Sequence, residues 1–145
     1  MVTRKIFVLI VAIAFSSATS SVLFAQECDQ EALRVKSSPV LRGFSFMKSF
    51  PVESASSDNK QEFSYVLSKD VSYCIVGADS DKDNKLVVNL LDRNKKVIAT
   101  NYIKQKKEFL PSIKFDCDAT GVYYLEAYFK ESKNSCGLLI LAYKK

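Results

Sequence analysis

After residue 60 the chain repeats one pattern: short runs rich in Val, Ile, Leu, Tyr and Phe, each divided from the next by a few polar residues. Seven runs follow one another, at 62–68, 71–78, 85–92, 96–102, 109–117, 121–130 and 136–144. In several the large residues alternate, as in Phe63/Tyr65/Leu67, Phe109/Pro111/Ile113/Phe115 and Tyr123/Leu125/Ala127/Phe129. Successive strand side chains point to opposite faces, so each row lines one face, and such rows are what two stacked sheets bury between them. The breaks carry turn chemistry. Asp92-Arg93-Asn94-Lys95 predicts a hairpin connection with Asn94 in the left-handed region, and Asp118-Ala119-Thr120-Gly121 a second turn. Pro111 has no N–H for a ladder, which predicts an edge or bulged position. Ahead of these runs, 29–36 reads as a short helix capped by Asp29, 43–50 as a further strand, and 54–60 as a linker-like loop. The expected fold is all-β: a two-sheet β-sandwich of about eight strands with a short N-terminal helix.

The first 25 residues read as a secretory leader. Arg4 and Lys5 precede the apolar run 6–15, a Ser/Thr-rich stretch follows, and Ala25 supplies a small residue at the cut. The run is well short of the ~20 residues a membrane span needs, so no stable span is expected. The domain reading is therefore a leader at 1–25, a helix, strand and linker packed on the sandwich at 26–60, and the sandwich at 61–145. Removing the leader lowers the formal charge from +5 to +3, leaving 19 basic and 16 acidic residues. The bases are scattered lysines, densest at Lys104, Lys106 and Lys107, without the contiguous Arg-rich face a nucleic-acid partner requires. All four cysteines, Cys28, Cys74, Cys117 and Cys136, follow the leader. An even count in an exported chain reads as two disulfides with three possible pairings. A structural zinc site is disfavoured, because the chain has no histidine and no Cys-x-x-Cys.

Three segments carry a family likeness. Residues 63–73 give a strand, a polar turn and a second strand. Leu86-Val87-Val88-Asn89-Leu90-Leu91-Asp92 with Val97-Ile98-Ala99 gives a central hairpin, and Thr120-Gly121-Val122-Tyr123-Tyr124-Leu125 a Gly-x-Tyr-Tyr strand. Together, from Glu62 to Tyr143, the chain resembles the bacterial pre-peptidase C-terminal (PPC-like) domain, a small jelly-roll-like sandwich found beside secreted enzymes. The likeness departs at Asn84 and Lys85, where that family usually has an acidic pair, and in the added helix and cysteines. The Phe-Ala-Gln leader end resembles those of exported Bacteroidota proteins. In a jelly roll of this pattern the strand holding Cys74 lies antiparallel to the one ending at Cys117. The resemblance thus implies Cys74–Cys117 and Cys28–Cys136 bonds.

No catalytic constellation emerges. Without histidine, Ser-His-Asp and Cys-His systems are excluded. Glu126 stands in mid-strand, facing away from the core with Val122, Tyr124 and Tyr128, and is the residue a small hydrolase would need. Asp79, Asp81 and Asp83 alternate as hard-cation ligands do, so calcium is the one cofactor worth weighing, although Asn84 and Leu90 stand where an EF-hand loop needs Gly and Glu. An ordinary solvated loop is the preferred reading there. Tyr124 and Tyr128 are candidate ligand-binding residues, because exposed aromatic faces stack on sugars. Tyrosines that cover the core edge are the preferred alternative. The expectation is a non-catalytic exported binding or accessory module of the periplasm or medium, with a glycan or protein partner. A structural or inhibitory envelope protein is the alternative, and a small hydrolase a weaker one.

Overall fold

The computed structural model describes residues 28–53, 59–131 and 136–145. The predicted leader and most of the predicted 54–60 linker lie outside the described residues. A helix, α1 (Gln30–Ser37), is followed by β1 (Ser45–Glu53), β2 (Gln61–Leu67), β3 (Ser72–Asp79), β4 (Leu86–Leu91) and β5 (Val97–Thr100). Next come β6 (Tyr102–Ile103), β7 (Glu108–Phe109), β8 (Ile113–Asp116), β9 (Gly121–Phe129) and β10 (Cys136–Lys144). Sheet I has the order β1-β10-β3-β8 and sheet II the order β2-β9-β4-β5, with every neighbour antiparallel. Six connections switch sheets and the last strand pairs with the first, which is the order of a jelly roll.

The rows Phe63/Tyr65/Leu67 and Tyr123/Leu125/Ala127/Phe129 meet in the core as the sequence predicts, whereas of the third row only Ile113 and Phe115 reach it. Leu67, Tyr73, Ile75, Leu86, Val88, Leu90, Leu125, Phe129, Leu139 and Leu141 are buried between the sheets. Gly77 lets them close: a Cβ there would sit 2.6 Å from Val88 Cγ2. A second apolar layer lies on the outer side of sheet I, where Cys74, Val76, Ala78, Leu138, Ile140 and Ala142 are covered by Leu33 of α1 and by Val40, Leu41 and Phe44. Asp29 caps α1 through the Ala32 amide (2.9 Å). The helix is tied down twice more. Lys36 Nζ donates to the carbonyls of Asp79 and Asp81, both at 3.0 Å, and Cys28 is disulfide-bonded to Cys136 across 108 residues.

The expected Cys74–Cys117 bond is not made; both thiols are free and buried. β3 and β8 are antiparallel, as the resemblance implies, but the register sets Cys74 opposite Lys114. Cys117, beyond the end of β8, exchanges backbone hydrogen bonds with Asp70 and Val71 instead. Three residues along a strand is about 10 Å and an odd step, so the two sulfurs face opposite sides of sheet I. Cys74 lies under α1, and Cys117 lies in the inter-sheet core beside Tyr123. The Tyr123 hydroxyl donates to Ala119 O (2.9 Å). Burial, with a smaller contribution from the Cys117 thiol, pushes its pKa up to about 12.

Two predicted strands are split. The 96–102 run ends as β5 at Thr100, and the 109–117 run begins as β8 at Ile113, leaving 102–109 to form the separate β6–β7 hairpin. Pro111 falls in the break before β8, which is an edge strand of sheet I. In the β4–β5 turn the left-handed residue is Lys95 (φ 63°), not Asn94. The Asp92 carboxylate accepts from the Asn94 and Lys96 amides and fixes that shape.

Candidate functional site

Among the described residues no helix packs on the outer face of sheet II, and its side chains follow from strand register. Glu62 on β2, Glu126 on β9, Asn89 on β4 and Thr100 on β5 are successive cross-strand partners and form one polar rung. The rung on one side holds Ser64, Tyr124, Leu91 and Val97, and on the other Tyr128 pairs with Val87. Two glutamates opposite each other repel, and two lysines offset this. Lys60 Nζ lies 3.0 Å from Glu126 Oε1, which also accepts from Asn89 Nδ2 (2.8 Å). Lys95 pairs with Glu62. The same lysines cover the tyrosines, Lys95 at 3.1 Å from the Tyr124 ring centre and Lys60 at 5.4 Å from that of Tyr128.

One wall of the resulting cleft is the β6–β7 hairpin, and Asn101 sets it in place. The buried Asn101 side chain accepts from Val88 N (2.7 Å) and donates to Leu86 O (3.0 Å). Its amide stands in for the strand pairing that β5 gives up. Its main-chain carbonyl accepts from Leu110 N (2.7 Å), which closes the loop, while Tyr102 packs on Phe109 with ring centres 4.8 Å apart. The cleft has a volume of about 670 Å³ and is lined by Lys60, Val87, Asn89, Lys95, Val97, Thr100, Tyr102, Lys104, Glu126 and Tyr128 among others. That volume lies within the ~300–1,000 Å³ range of ligand sites.

Tyr124 and Tyr128 thus stand, with Glu126 between them, on the outward face that strand alternation assigns. Tyr128 lines the cleft, whereas the Tyr124 ring lies under Lys95. Glu62 and Glu126 are direct cross-strand partners, and each faces an ammonium group. Asn89, Asn101, Lys60 and Lys95 are additions that the sequence reading missed. The available signal for Asn89 was an amide set inside the apolar run Leu86–Leu91.

The acidic loop is built differently from a cation site. Asp79 is fully buried, and its carboxylate oxygens accept from the amides of Asp81 (2.7 Å) and Lys85 (2.6 Å). Burial pushes its carboxyl above the usual range, against those two hydrogen bonds. The Lys36 ammonium occupies the carbonyl side of the loop, and Asp83 points to solvent. Among the described residues no three metal-ligating side chains gather, and no helix is long and apolar enough to cross a membrane.

No family model matches the sequence, and no curated protein matches it. Among solved structures the chain is similar to PliG of Aeromonas hydrophila, a periplasmic lysozyme inhibitor of g-type lysozyme. The likeness spans 67% of this chain and 82% of that one at 11% identity, with a TM-score of 0.47. At that level it carries nothing about what this chain binds.

Proposed function

We propose that the chain is an exported, non-catalytic binding module of the PPC-like jelly-roll kind. Its ligand, outside the cytoplasm, is taken on the outer face of sheet II. The observation that carries this reading is the uncovered polar rung Glu62–Glu126–Asn89–Thr100 set between tyrosines in a walled cleft. The Cys28–Cys136 bond supports export, since disulfides persist in oxidising compartments, and so does the leader pattern.

A glycan array probed with the protein and with Val97→Trp tests it. Val97 is exposed on the edge strand β5 and lines the cleft, so the larger ring fills the cleft without disturbing the core. Binding that Val97→Trp abolishes supports the site. Glycan binding that this variant leaves intact moves the ligand elsewhere, and failure to bind any glycan or envelope protein overturns the reading.

A further inference from the structure

The cleft does not end at the β6–β7 hairpin. A second hollow of about 380 Å³ shares Tyr102, Lys104 and Tyr128 with it, and adds Lys85, Lys107, Phe109, Lys130 and Glu131. The two adjoin along these shared residues and together, as one groove-like surface, hold six lysines against two glutamates. Both glutamates have lysine partners, Glu126 with Lys60 and Glu131 with Lys130. Among the described residues no carboxylate pairs with Lys85, Lys104 or Lys107. The groove therefore carries surplus positive charge along its length, over a floor of tyrosine, phenylalanine and amide groups. A concave surface of one sign concentrates the field and draws in an oppositely charged ligand.

Resting on the reading of this face as the binding surface, we propose that the groove takes a polyanionic sugar chain, one bearing uronate or sulfate groups at intervals. Two features favour a charged sugar over a neutral one. The Tyr124 ring, the natural stacking platform, already has the Lys95 ammonium over its face, and the unpaired cations are spread along the groove rather than gathered at one point. Two features favour a sugar over an acidic protein. Protein interfaces are depleted in lysine at their centres and built around apolar anchors, whereas every cation here is lysine and the central rung is polar.

The test measures binding of fluorescent oligogalacturonate, its methyl ester and a chondroitin sulfate oligosaccharide. The proteins are wild type, the double variant Lys104→Glu/Lys107→Glu and the double variant Lys48→Glu/Lys69→Glu. Both doubles change net charge equally at exposed positions, but Lys48 and Lys69 lie outside the groove. Expected is salt-sensitive binding of one or both acidic sugars, weakened about tenfold or more by the groove variant and about twofold or less by the other. The ester should bind least. Equal loss in both variants would reduce the effect to net charge and overturn the proposal. Binding of the methyl ester as tightly as the free acid, still abolished by Val97→Trp, would overturn the polyanion and leave the binding face standing. Single-stranded DNA or an acidic peptide bound as tightly as the acidic sugars would overturn the sugar assignment. If no probe binds, the polyanion proposal fails, while the array result with Val97→Trp decides the broader reading separately.

Discussion

The two outer faces of the sandwich are built from the same strand alternation and finished in opposite ways. On sheet I the outward row is apolar, Val76, Ala78, Leu138, Ile140 and Ala142, and α1 lies over it, fastened by a disulfide and by Lys36. On sheet II the outward row is Glu62, Glu126, Asn89 and Thr100, flanked by tyrosines, and Lys60 and Lys95 reach across it. Apolar outward residues need a cover, whereas polar ones can face solvent or a ligand. The difference sets a covered and fastened face against an open polar one, the face proposed above to bind.

If so, damage to the covered side should be the more costly. Replacing both members of the bond (Cys28→Ser/Cys136→Ser) should lower unfolding free energy by about 4 kcal/mol, because the bond closes a loop of more than 100 residues. Urea unfolding measures this. Thiol titration of the wild type should find no reactive thiol in the native state and two after unfolding, Cys74 and Cys117. A count of zero after unfolding would restore the second bond and contradict the register that separates them.

Next in size is the hairpin that walls the cleft. Asn101→Ala strips partners from the buried Val88 amide and Leu86 carbonyl, which should cost about 3 kcal/mol. It should also raise hydrogen exchange across 102–109 while leaving α1 protected. Equal exchange on both sides would mean that the two faces are not independently held.

The Asp79 loop joins the two regions, since Lys36 of α1 reaches its carbonyls. Asp79→Asn keeps one acceptor and loses the other, a cost of about 1–2 kcal/mol at neutral pH. Burial raises the folded pKa of Asp79 above its unfolded value. Its contribution is therefore greatest below the unfolded pKa and is lost as pH rises through the folded one. Because Asn does not titrate, the gap between wild type and variant should be wider near pH 3 than near pH 7. A gap that narrows on acidification would show that the amide hydrogen bonds, not burial, dominate this carboxyl.

Much of this architecture was legible, for definite reasons. Periods of two in Phe63/Tyr65/Leu67 and Tyr123/Leu125/Ala127/Phe129 fix which residues face inward, and by exclusion they set Tyr124, Glu126 and Tyr128 outward. Asp29 announces the helix cap. Register is a different matter. The Cys74–Cys117 pairing needed the β3–β8 offset to within one residue, and an odd step reverses the face. The site was half legible for the same reason. Tyr124 and Tyr128 belong to one strand and could be read together, whereas Asn89, Lys60 and Lys95 reach Glu126 and Glu62 only through pairings between distant segments. Asn101 looked like the tail of a strand, because nothing local reveals an amide that replaces a ladder.

The smallest expected effect is the most telling for the open face. Glu126→Gln preserves shape and the acceptor for Asn89 Nδ2, loses the ion pair to Lys60, and relieves repulsion from Glu62. Lys60 is more than half exposed, so its pair is screened by water and contributes little. Unfolding free energy should change by less than about 1 kcal/mol in either direction. Removing one negative charge from a lysine-lined groove should instead tighten binding of an acidic sugar, a gain read directly from the titration. A hydrolase whose acid or nucleophile were Glu126 would respond the opposite way, losing turnover while still binding substrate. A drop in stability of about 3 kcal/mol would place this carboxylate among the structural groups, like those beneath α1, and remove the contrast between the two faces.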